Sequence, residues 1–129
     1  MSAFTDELTI TALRDGRNWR LAQPLVYEVG SEGSGRVISV PPQFVTDGAS
    51  VPRALWELLP SWGTYSRAAV VHDYLCDCLN RGAPHVEAKT RREADAIFYE
   101  AMVVCGTGAT MRFVMWLAVR TYAILAGKK

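Results

Sequence analysis

Apolar and polar positions alternate along the first third of the chain and change to helical spacing near residue 50. Leu8-Thr-Ile-Thr-Ala-Leu13 alternates, as a half-buried strand does, and Arg14-Asp-Gly-Arg17 follows as a hairpin-type turn. Trp19 to Val29 predicts a second strand, in which Pro24 marks an edge or a break. The Gly30-Ser-Glu-Gly-Ser-Gly35 loop leads to a third strand over Arg36–Val40, closed by Pro41-Pro42. The connections leave no room for a parallel crossover, so the sheet should be antiparallel.

The remainder reads as four helices. Ser50 to Leu59 opens with a capping serine and carries Pro52 in its first turn, where a missing N–H costs nothing. Pro60 stops it. Ser66 to Leu79 ends at Asn80-Arg-Gly82. Thr90-Arg-Arg-Glu93 is a capping box that starts a helix running to Cys105 and stopping at Gly106. Thr110 to about Leu125 closes at Gly127, with Lys128 and Lys129 suited to the negative end of the helix dipole. The expected fold is one α+β domain over residues 1–129. Residues 1–45, mainly strands, form a small N-terminal antiparallel sheet of about three strands. It packs against about four C-terminal helices within residues 50–126.

Composition narrows the functional classes. With 14 Lys and Arg against 13 Asp and Glu, the chain has a net charge of +1 and no overall attraction for nucleic acid or anionic lipid. The longest apolar stretch, Phe113–Val119, lies between Arg112 and Arg120, too short for a membrane span. The polar, acidic start has no apolar segment of the secretory kind, so no signal peptide is expected and synthesis is placed in a cytoplasm. Cys76, Cys78 and Cys105 are too few for a disulfide framework and read as free thiols.

Candidate chemistry centres on a few polar residues among these helices. On the helix over 66–79, His72 borders the apolar arc and Asp73 lies opposite it. His72 and Cys76 share a face at i, i+4 and could supply two zinc ligands, but the sequence shows no matching second pair. A core histidine donating a hydrogen bond to a carboxylate or a carbonyl is the simpler reading, with no cofactor, and zinc is the alternative. His85, in the Gly82–Lys89 loop, reads as solvent-exposed. Arg91 and Asp95 can pair at i, i+4. The last helix is apolar nearly all round except Arg112 and Arg120, which predicts a central position and carboxylate partners for both arginines. An ion-paired seam, in which Arg112 or Arg120 meets Asp73 or Asp95, follows. The competing arrangement brings Asp47, Ser50, His72, Asp73 and Asp95 together in a catalytic cleft. Trp56, Trp62 and Tyr65 flank a Pro- and Gly-punctuated loop that could form an interface or plug the core.

Phe44-x-Thr-Asp47-Gly-Ala-Ser50-Val-Pro-Arg53, Trp56, Pro60, Gly63-x-Tyr65, Ala68-Ala-x-x-His72-Asp73-x-Leu75, Arg92-x-Ala94-Asp95-x-x-Phe98 and Val119-Arg120 form a specific set. Together they resemble a small family of tailed phages and prophages, a domain of unknown function, over roughly residues 36–122. The resemblance implies a phage gene near tail or lysis genes, and supplies no catalytic residue.

Three functions follow as expectations. The first is an accessory structural protein of the virion, in the tail or baseplate, meeting other phage structural proteins or copies of itself after assembly in the cytoplasm. The second is a hydrolase using His72 and the nearby acids, with the cell wall as a candidate substrate and zinc as an optional cofactor. The third is an intracellular protein that binds a host factor through the loop around Trp62.

Overall fold

The computed structural model describes residues 3–4, 8, 10–13, 19–30, 34–46 and 66–128. The α+β architecture is as expected: short antiparallel strands come first and helices follow. The expected helix over residues 50–59 lies outside the described residues, which hold three helices rather than four.

Among the described residues, six short strands form two three-stranded sheets rather than one. In the first, β4 (Leu25–Glu28) lies between β1 (Ala3–Phe4) and β5 (Val37–Val40). In the second, β3 (Trp19–Leu21) lies between β2 (Ile10–Ala12) and β6 (Val45–Thr46). The single strand expected over Trp19–Val29 is therefore two strands in different sheets. The chain changes sheet at Ala22-Gln23-Pro24, where proline has no N–H for a ladder.

Burial alternates along β4 and β5. Leu25 stands opposite Val40 and Tyr27 opposite Ile38, and all four are buried. That face meets α1 (Ser66–Asn80), whose Ala68, Ala69, Val70, Val71 and Leu75 are also buried. The tight turn from β5 to β6 places Pro42 before Gln43, which has a φ of 74°. The Phe44 N–H donates to the Pro41 carbonyl across this turn.

The α2 helix (Arg91–Val104) packs between α1 and α3 (Ala109–Leu125). Thr90 caps α2 by accepting from the Glu93 N–H, as its sequence predicts. Gly82 and Gly106, with φ of 73° and 80°, end α1 and α2 in left-handed geometry that side chains resist. The following N–H groups return to the last turn, Ala83 to the Cys78 carbonyl and Thr107 to that of Met102.

One expectation fails instructively. Although α3 is apolar nearly all round, it is an outer helix and not a central one. It rests on α2 through a narrow stripe of Met115, Val119 and Ala123, while Phe113, Leu117 and Ile124 are exposed. No helix among the described residues is long and apolar enough to cross a membrane.

Candidate functional site

The polar centre of the helical layer is built on one carboxylate. Asp95 projects from α2 into the space between helices and has no solvent exposure. Its Oδ1 lies 2.6 Å from His72 Nε2 on α1 and accepts from Arg91 Nε one turn back on α2, at 3.3 Å. Its Oδ2 accepts from Arg120 Nη1 on α3, at 2.8 Å. One side chain thus ties three helices together.

The expected seam is present, with a specific choice of partners. Arg120 meets Asp95, whereas Arg112 donates to the Tyr99 hydroxyl and the Thr107 carbonyl at the α2–α3 turn. Asp73 is half-buried on α1 and does not join the Asp95 contacts. Helical geometry explains this, because Asp73 follows His72 by one residue and points about 100° away. Asp47, Ser50, Trp56, Trp62 and Tyr65 lie outside the described residues.

Burial sets the protonation states. Loss of water holds His72 below its ordinary pKa, outweighing the hydrogen bond and charge of Asp95, and Arg91 lowers it further. The imidazole is therefore neutral at pH 7 and donates its Nε2 proton to Asp95. Burial alone would raise Asp95, but His72, Arg120 and Arg91 together hold its carboxyl below the usual range. With two guanidiniums already beside it, Asp95 has little charge left with which to protonate His72.

Cys76 is buried one turn after His72. Its Sγ is 3.5 Å from His72 Nε2 and 3.9 Å from Nδ1. Being almost equally far from both nitrogens, it lies over the ring, since an in-plane approach would drive it into Cε1. This is not the in-line contact by which a base activates a thiol. Burial pushes the thiol up to about 12, more than Arg91 can offset.

His72, Cys76 and Asp95 have ligand atoms within 4.8 Å of one another, close enough to surround a metal ion. The surrounding charges do not suit a dication. A metal would displace the proton shared by His72 and Asp95, require the Cys76 thiolate, and sit beside two buried or half-buried arginines. The grouping fits a hydrogen-bonded centre better than a metal centre.

Two further contacts escaped the sequence reading. Glu100 accepts from the Tyr27 hydroxyl at 2.6 Å and from the Gly30 N–H at 2.9 Å, strapping α2 to the first sheet. Nothing in the local spacing of Glu100 signals a partner more than 70 residues away. His85 is half-buried rather than exposed: its Nδ1 accepts from the Glu87 N–H, and its ring meets the edge of Tyr74.

Comparison with known proteins places this arrangement in a family. Residues 19–119 match the family model described as "Protein of unknown function (DUF1353)". The chain belongs to the DUF1353 family. The matched span includes His72, Arg91 and Asp95, and ends one residue before Arg120. The chain is similar to the uncharacterized protein y4jT of Sinorhizobium fredii (strain NBRC 101917 / NGR234). The two are 32% identical over 85 residues, covering 64% of this chain and 23% of that protein. It is also similar to the uncharacterized protein y4iH of the same strain, 35% identical over 79 residues, covering 60% and 30% of the two chains. The matched region spans less than a third of the length of either curated relative. No solved structure matches.

Proposed function

We propose that this DUF1353 protein is a phage-encoded accessory structural protein, a tail or baseplate component that acts through protein–protein contacts. The observation that carries this reading is the contrast between a closed polar centre and an open apolar surface. His72 and Asp95 are 4% and 0% exposed and have no face turned to a substrate. The outer side of α3, by contrast, exposes several large apolar residues that a solitary helix would gain by covering.

A cell-wall hydrolase would need His72 and its acids in a concave, water-accessible site. Their burial and the unreactive geometry of Cys76 favour a structural role. The phage setting rests on the resemblance of the motif set to a phage and prophage family. The test is quantitative mass spectrometry of purified phage particles induced from the source strain. A fixed copy number per particle is the expected result. Abundant protein in the induced cell with none in purified particles would overturn the virion assignment.

A further inference from the structure

We propose that the outer face of α3 is a homodimer interface, on which a second copy packs antiparallel about a two-fold axis. This rests on the contact-based function above and names the first partner. Thr110, Val114, Leu117, Thr121 and Ile124 follow one another at steps of four, three, four and three, and all five are exposed. That is the spacing of a coiled-coil seam, in which two helices interlock along a shared stripe. It lies on the side of α3 away from Met115, Val119 and Ala123, the stripe that faces α2.

Charge selects the partner. The charged residues within α3 are Arg112 and Arg120, and both guanidiniums bond within the chain, to Tyr99 and Thr107 and to Asp95. The seam is thus uncharged. An identical face meets it without like-charge repulsion, whereas a strongly acidic or basic partner would lose hydration and find no counter-charge. Helices that lie on membranes carry basic polar faces, which α3 lacks on its open side. Area is adequate as well. A specific interface takes about 600–1,000 Å2 from each partner. Phe113, Val114, Leu117, Ile124 and Leu125, 39–82% exposed, approach the lower end of that range with the threonines between them. A two-fold axis passing between positions 117 and 121 sets Val114 of each copy against Ile124 of the other, and Phe113 against Leu125.

The test is the mass in solution, by light scattering or sedimentation over a concentration series. The wild-type chain should double its mass from 14.3 kDa. Ile124→Glu and Val114→Lys should each remain monomeric with unchanged helical circular dichroism, since both positions are exposed. Mixing these two variants should restore the dimer, because the antiparallel register brings the new carboxylate against the new ammonium and leaves one Val114–Ile124 contact intact. A wild-type monomer at every concentration, a dimer indifferent to both substitutions, or a monomer that instead floats with phosphatidylcholine vesicles would overturn the proposal. Mass and particle composition are read separately. A monomer found in phage particles sinks the pairing and spares the virion assignment. A dimer absent from particles does the reverse.

Discussion

Asp95 and His72 meet at 2.6 Å across two helices, in a space that neither opens to water. The contact is a hydrogen bond from a neutral imidazole to an ionised carboxylate, not an ion pair, because the positive charge that balances Asp95 comes from Arg91 and Arg120.

Replacing Asp95 should therefore be costly. Asp95→Asn keeps the side-chain shape but leaves two guanidiniums without their counter-charge. Removing one partner from a buried charged cluster costs about 3–5 kcal/mol. Urea unfolding should show this as a lower midpoint. A loss within about 0.5 kcal/mol, the scale of an ordinary surface change, would contradict the central role of this carboxylate.

Stability should fall on mild acidification, and His72 should be responsible. Its folded pKa lies below the ordinary 6.5, so as pH drops through that value the unfolded chain takes up a proton that the folded chain refuses. The stabilisation is complete above the unfolded value and is lost as pH falls toward the folded one. Asp95 acts with the same sign at lower pH, its folded pKa being held below 3.8. Thermal melts from pH 7.5 to 5 should show the loss, and His72→Gln should make it shallower, leaving the part due to half-buried His85, which burial also holds below its ordinary value. An equal slope in the variant would place the titration elsewhere.

Thiol chemistry should follow burial. Cys76 and Cys78 are buried and Cys105 is partly exposed. Burial holds the Cys76 thiol near 12 and raises Cys105 as well. Iodoacetamide at neutral pH should modify Cys105 first and slowly, and Cys76 and Cys78 only with denaturant. Peptide mass spectrometry reads the order directly, and rapid native labelling of Cys76 would mark it as a reactive thiol.

The strap from sheet to helix is open to a conservative test. Tyr27→Phe removes one hydrogen bond to the Glu100 carboxylate while Gly30 still donates to it. Hydrogen bonds to charged groups contribute about 1.5–3 kcal/mol. Chemical denaturation should show a loss in that range, and an unchanged midpoint would show that water replaces the hydroxyl at no cost.

The parts of the fold governed by short-range rules were legible in the sequence. Thr90 and Glu93 announced the start of α2, and Gly82, Gly106 and Gly127 announced the three helix ends. Arg91–Asp95 followed from helical spacing, and Asp95 was one of two acids offered as the arginine partner. What failed depends on what each element meets. The two-residue strands Ala3–Phe4 and Val45–Thr46 are too short for an alternation to register. The all-round hydrophobicity of α3 suggested a central helix, yet apolar character shows that a surface is worth covering and not that this domain covers it. Asp73, the other acid offered to the arginines, adjoins His72 in sequence but diverges from it around the helix.

A carboxylate serving three helices also constrains how this sequence can drift. Losing Asp95 strands both arginines, and losing one arginine leaves a buried carboxylate oxygen short of a hydrogen-bond donor. Residues 72, 91, 95 and 120 can therefore change easily only together, as when a buried polar set is exchanged for an apolar one of similar volume. Descendants of this chain should inherit the four positions as a unit, while the surface around them diverges one residue at a time.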